Sequence, residues 1–106
     1  MVESIEINGV KYPVIVNFNV IGYFQKETGY SFDIIGSLVH MLYLVEPLLW
    51  YSLEEGHLEA KKEMTIKRED MRMLLRDNKT YETFFQIIAK FFPDTKEVDE
   101  KKAKKK

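Results

Sequence analysis

The sequence predicts an α+β fold that is mostly helical: an N-terminal β-hairpin, then four to five helices, then a lysine-rich tail. Three observations carry that expectation. Apolar residues alternate with polar ones on both sides of Asn8-Gly9. Beyond residue 17 the apolar spacing changes from two to three or four, the helical period. From Asp94 onward the chain is charged and almost without apolar residues, so residues 94–106 are expected to be disordered and residues 1–93 to form one domain.

The hairpin comes first. Ile5 and Ile7 alternate with Ser4 and Glu6, and Asn8-Gly9 tolerates the positive φ angles of a two-residue turn. Val10, Tyr12, Val14 and Val16 then share a face, and Pro13, without an amide proton, calls for a free edge there. Either Asn17 or Asn19 can cap the first helix, whose stripe is Val20, Tyr23 and Phe24. Lys26 falls in its last turn, and Gly29 stands where a left-handed residue ends a helix.

Ser31 or Asp33 can cap the next helix, through Ile34, Ile35, Leu38, Leu42 and Val45; Gly36 and Ser37 weaken its start, so a short turn before a longer helix is the other reading. Pro47 suits the first turn of a new helix carrying Leu49, Trp50 and Leu53, with 56–64 as its frayed end and a loop. Thr65 is the expected cap of a helix with Met71, Leu74 and Leu75 on its apolar face, acids early and Arg72 and Arg76 late. The last helix begins near Thr80, with Tyr81, Phe84, Phe85, Ile88 and Phe92 in its stripe, and stops at Pro93.

Composition narrows the functional classes. The net charge of −1 creates no global field toward nucleic acid or membrane. It is uneven: six lysines and three acids make residues 96–106 +3, which leaves −4 for the rest. With no cysteine there is no disulfide, thiolate nucleophile or cysteine-based zinc site, which suits a reducing cytoplasm. The first ten residues lack the pattern of a secretory leader. Ile34–Leu53 is long and apolar enough to raise a membrane span, but Glu46 inside it would cost ~2.5–3.5 kcal/mol. Pro47 interrupts it and acids flank it, so buried helices are expected instead.

No residue set points to catalysis, a cofactor or a metal. His40, in an apolar run, reads as a core or interface histidine, and His57, in a glycine-flanked loop, as solvated. Glu55 and Glu59 could share a helix face and a cation, but a solvated acidic surface is the simpler reading. Serines 4, 31, 37 and 52 lack a nucleophile context, and the glycines form no phosphate loop. A helical pair at 65–92 resembles a DNA-reading unit, but its second helix offers Tyr81, Phe84, Phe85 and Ile88 where base-reading side chains are needed. What stands out is 13% aromatic content. Tyr43, Trp50, Tyr51, Phe85, Phe91 and Phe92 are candidates either for a wide core stripe or for an interface with a partner or second copy.

The order of these features resembles the tail assembly chaperones of long-tailed phages and prophages. The resemblance covers about residues 5–92 and rests on "INGVKYPVIVNFNVIGYFQKETGYSF", an apolar middle, "LEEG" and "MTIKREDMRMLL". Asn8, Gly9, Gly29 and Pro47 are structural in this reading, although the Pro47 break and the lysine tail depart from the family pattern. The resemblance implies a non-enzymatic, self-associating factor of the bacterial host cytoplasm. It would bind the tape-measure protein, help recruit tail-tube subunits, and be absent from the finished particle. Such proteins are often made in two forms by ribosomal frameshifting, so "KKAKKK" is either a solubilising tail or the translated trace of a slippery site. The rival class is a small DNA-binding regulator using 65–92. An adenine-rich slip heptamer over codons 101–106 with an overlapping downstream frame would establish the frameshift; its absence would end that idea.

If Gly29 adopts a positive φ, Gly29→Val should cost about 1 kcal/mol or more in stability. Urea unfolding reads it, and an unchanged midpoint would contradict a helix end at this residue.

Overall fold

A computed structural model describes residues 2–91. Phe92, Pro93 and the tail expected to be disordered lie outside the described residues. The architecture is a two-stranded antiparallel hairpin, β1 (Glu3–Ile7) and β2 (Val10–Val14), followed by α1 (Phe18–Thr28), α2 (Val45–Ala60), α3 (Met71–Leu74) and α4 (Asn78–Phe91). Short 3₁₀ segments join them at Phe32–His40, Leu42–Leu44 and Arg68–Asp70.

Asn8 and Gly9 take φ values of 53° and 80°, the paired positive angles that the turn demands. The register sets Ile7 against Val10, Ile5 against Tyr12 and Ser4 against Pro13. In a two-residue hairpin, alternate pairs exchange hydrogen bonds, so Pro13 falls at a position whose N–H would face away from β1. Ile5, Ile7, Val14 and Val16 are buried, while Val10, beside the turn, is exposed.

Asn17 caps α1: its Oδ1 accepts from Val20 N at 3.0 Å. Gly29 ends the helix with φ 79°, its N–H donating to Gln25 O at 2.8 Å. The buried face is Val20, Ile21 and Phe24. Tyr23, expected in the stripe, is exposed, because the face is rotated toward Ile21.

The helix expected from Ile34 to Val45 is not one α-helix. Residues 32–44 wind as 3₁₀ turns broken at Met41, whose φ and ψ are −136° and 59°. The physical reason lies in the local sequence: Ile34, Ile35 and Val39 are β-branched, and Gly36 and Ser37 disfavour a helix interior. Neither Ser31 nor Asp33 caps a main-chain amide here; the Ser31 hydroxyl donates to Asp33 instead. The apolar side chains divide, with Leu38 and Leu44 buried and Val39, Leu42 and Tyr43 exposed.

Helix α2 is the central element. Pro47 sits in its first turn as expected, but the helix does not fray at Gly56; it continues to Ala60 and ends at a left-handed Lys61, φ 57°. The buried residues Val45, Leu48, Leu49, Ser52, Leu53, Gly56 and His57 share one broad face, and Pro47 is buried as well. His57, expected to be solvated, is 5% exposed, and its Nδ1–H donates to Leu53 O at 2.7 Å. His40, expected to be buried, is exposed. The two assignments reverse because the chain is helical at His57 and irregular near His40.

Gly56 is needed where it stands. A Cβ there would lie 2.4 Å from Pro13 O and 2.5 Å from Val14 Cα. One turn earlier, Ser52 O accepts from Ile15 N at 3.1 Å. Main chain therefore meets main chain between β2 and α2. The last part of the chain begins with the Arg68–Asp70 turn, closed by Asp70 Oδ2 accepting from Lys67 N at 2.8 Å. Thr65, expected as a cap, plays no such part, and the helix expected there shrinks to α3. Asp77 Oδ1 accepts from Lys79 N at the start of α4, which then buries Thr80, Phe84, Ile87 and Ile88.

Gly56→Ala should destabilise the fold. The helix itself would gain ~0.5–1 kcal/mol, but displacing the strand should cost about 1–3 kcal/mol, as overpacking does. Chemical denaturation decides between these, and a stabilised variant would contradict the close packing.

Candidate functional site

Two neighbouring features concentrate the polar chemistry and the exposed apolar surface. The first is built around Arg68, in the 3₁₀ turn before α3. Its guanidinium donates to Glu46 at the start of α2 through Nε and, at 2.9 Å, Nη2. It also donates to Glu27, near the end of α1, through Nη1 at 3.0 Å and Nη2 at 2.6 Å. The guanidinium carbon lies 5.8 Å from the Trp50 ring centroid and 5.7 Å from that of Tyr51. Tyr51 donates to Glu27 Oε1 at 2.7 Å and stacks on Tyr23 at 5.5 Å. One planar cation thus joins three segments distant in sequence, using the fork geometry that lysine lacks.

The electrostatics follow from this wiring. The Arg68 hydrogen bonds hold the Glu27 carboxyl below its ordinary value of 4.5, against a smaller opposing effect of burial. The Glu27 carboxylate pushes the Tyr51 hydroxyl above its ordinary value of 10.0. Hydrogen bonds to Glu46, then to Glu27, raise Arg68 further into permanent protonation. Burial raises Glu54, which Arg68 partly offsets. The arginine and both carboxylates each remain about one-third exposed, so each pair is worth a surface-type increment, ~0.2–1 kcal/mol, and not the value of a buried bridge.

The second feature is an open groove of about 700 Å³ beside this network. Leu42, Tyr43 and Glu46, before and at the start of α2, line it together with Arg68, Glu69, Met71, Arg72 and Leu75 around α3 and Tyr81 of α4. Tyr43 is 66% exposed, and its hydroxyl lies 3.5 Å from that of Tyr30. A mutual hydrogen bond with Tyr30 raises the Tyr43 hydroxyl above its ordinary value. Leu42 is also exposed, whereas Met71 is fully buried. The groove is therefore lined by apolar side chains and by both signs of charge.

The aromatic candidates separate accordingly. Tyr43 is exposed in the groove lining. Trp50 and Tyr51 are half-buried against Arg68, and Phe85 is half-buried beside Tyr81, with ring centroids 6.3 Å apart. Phe91 is half-buried with its ring edge-on to Phe18 at 5.8 Å, and Phe92 lies outside the described residues. The sequence reading missed Arg68 as an organising residue. The available signal was a lone arginine in a loop following a helix that begins with an acid, a signal that does not identify the partner on α1.

The other candidates resolve locally. Glu55 accepts from Asn19 Nδ2 at 3.0 Å and Asn17 Nδ2 at 3.4 Å, bracing the start of α1. Among the described residues, no group of three or more His, Asp or Glu is placed to hold a metal ion. No described helix is long and apolar enough to cross a membrane. The helical pair at 65–92 amounts to a 3₁₀ turn, a four-residue α3 and α4, with the Arg68 charge matched by two carboxylates. Comparisons with protein-family models, with curated proteins and with solved structures gave no match.

The pairing sets a pH dependence. Because the Glu27 carboxyl is held low, its contribution to stability is complete above the ordinary glutamate value and is lost as pH falls through the lowered one. Because the Tyr51 hydroxyl is raised, its contribution holds below the ordinary tyrosine value and is lost as pH climbs through the raised one. Arg68→Met should cost about 1 kcal/mol near neutrality, not the ~3–5 kcal/mol of a broken buried pair. The wild type's advantage over Glu27→Gln should shrink as pH falls from the ordinary glutamate value of 4.5 through the lowered one. Urea midpoints across that range test it, and a constant gap would contradict the assignment.

Proposed function

We propose that this chain is a non-enzymatic tail assembly chaperone of a long-tailed phage or prophage. It acts by holding a helical segment of the tape-measure protein and helping to recruit tail-tube subunits in the host cytoplasm, and it self-associates. The observation that carries the reading is the groove lined by Leu42, Tyr43, Leu75 and Tyr81 together with Glu46, Glu69 and Arg72. An amphipathic helix binds such a surface by laying its apolar stripe against the apolar side chains and its charges beside the charged ones. The resemblance of residues 5–92 to the chaperone family supplies the identity of the client. The chemistry of the groove, apolar side chains beside both signs of charge, supports protein as the ligand.

Co-expression with the tape-measure protein of the same gene cluster should yield a soluble complex that survives purification. A tape-measure protein that stays insoluble and unassociated would end the chaperone reading. A salt-dependent shift of duplex DNA would favour the DNA-binding regulator instead. The gene should lie between a tail-tube gene and a very long tape-measure gene.

A further inference from the structure

Residues 61–70 follow a course unlike the rest of the chain. Helix α2 ends at Lys61 in a left-handed conformation, and Lys62 N still donates to His57 O at 2.9 Å. From there to Arg68 the chain has no helix or strand. Among the described residues, no main-chain hydrogen bond ties residues 63–69 to another element; those present, such as Asp70 N to Lys67 O, are internal to the segment. Side chains alone hold it down. Ile66 is buried in the core, Met64 packs against that core, and Arg68 makes the four hydrogen bonds to Glu27 and Glu46. Beyond it the fully buried Met71 fixes α3. The segment therefore has a firm anchor at each end and a hold between them that depends on two apolar contacts and one half-exposed ionic contact.

Its position gives the hold a consequence. Arg68, Glu69 and Glu46 all line the groove. The Arg68–Glu46 pair therefore lies in the lining itself and joins the 3₁₀ turn to α2 there. The same guanidinium covers ring surface of Trp50 and Tyr51.

We infer that residues 62–70 are a strap that opens as a unit about Lys61, and that the pairing of Arg68 with Glu27 and Glu46 is the lock that holds it shut beside the groove. Opening widens the groove and uncovers Trp50 and Tyr51. The lock is local in character. Its three groups are partly exposed, so salt weakens it, while the core formed by Phe24, Leu48, Leu49 and Phe84 does not depend on it. The charged groups facing the guanidinium are Glu27 from α1 and Glu46 and the more distant Glu54 from α2, with the Tyr51 hydroxyl bound to Glu27. The use of the strap as a gate for a client helix rests on the proposed function; the opening itself does not, and it is measured without any client.

The chain has one tryptophan, Trp50, which makes the lock directly observable. Acrylamide quenching of Trp50, with hydrogen–deuterium exchange in β1, β2 and α4 as the control for global opening, should be followed in the wild type, in the double variant Glu27→Gln/Glu46→Gln, and in the wild type at low and high sodium chloride. Weakening the lock either way should raise quenching of Trp50. Exchange in β1, β2 and α4 should stay unchanged. Accelerated exchange across β1, β2 and α4, or unchanged quenching of Trp50, overturns the strap. The salt comparison keeps the test decisive if the double variant does not fold. If the strap opens and no tape-measure segment binds, the functional reading fails while the strap stands.

Discussion

The main-chain contact between β2 and α2 is the constraint on which the rest of the structure depends. At Gly56 the missing side chain lets Pro13 and Val14 approach the helix at a distance that any Cβ would forbid. Ser52, one turn away and fully buried, keeps its own side chain out of the gap by donating its hydroxyl back to Leu48 O at 2.8 Å. Its carbonyl is then within reach of Ile15 N. A lone two-stranded hairpin is marginal in water, and this docking gives it a surface to fold against. The neighbouring residue on α2, Glu55, receives Asn17 and Asn19 and so fixes where α1 starts. On the other side α4 reaches β1, with Lys90 pairing with Glu3 at 3.1 Å. The position of the hairpin on α2 thus decides the placement of the first and last helices.

Around that apolar centre lies a polar network of a different kind. Fully burying an aliphatic or aromatic side chain is worth ~1.5–3 kcal/mol, and the core contains many such residues, Phe24 and Phe84 among the largest. The Arg68 pairs are individually smaller. Their contribution is geometric: they hold a segment that lacks main-chain ties and join it to α1 and α2 beside the groove. Burial determines the fold, and the ionic contact determines the state of one surface. That division allows the surface to respond to salt while the core persists.

Most of the architecture was legible in the sequence where local chemistry is decisive. Asn8-Gly9, Asn17, Gly29 and Pro47 each have a conformational requirement that few residues meet, and each appears in its expected role. The reading failed where long-range packing overrode local signals. Gly56 looked like a helix terminator because its partner, the Pro13 backbone, is 43 residues away. His57 consequently looked solvated. The apolar run at 32–44 was read by hydrophobic spacing, which does not separate an α-helix from 3₁₀ turns when β-branched residues and glycine are mixed in. The groove was legible only in part. Tyr43 was picked out as an aromatic candidate, whereas Arg68 was not read as an organising residue because neither the Glu27 nor the Glu46 contact has a short-range pattern.

The functional reading joins a chaperone-like order of motifs to a groove suited to a helix. Its central claim is that the client lies between Leu42–Tyr43 and Leu75–Tyr81. The most direct measurement is an NMR titration of the full chain with helical segments of the tape-measure protein from the same gene cluster. The account predicts that amide shifts move at Leu42, Tyr43, Arg72, Leu75 and Tyr81, and not at Asn8, Gly9 or the remainder of the hairpin. Shifts confined to other surfaces, or none with any segment, would contradict it.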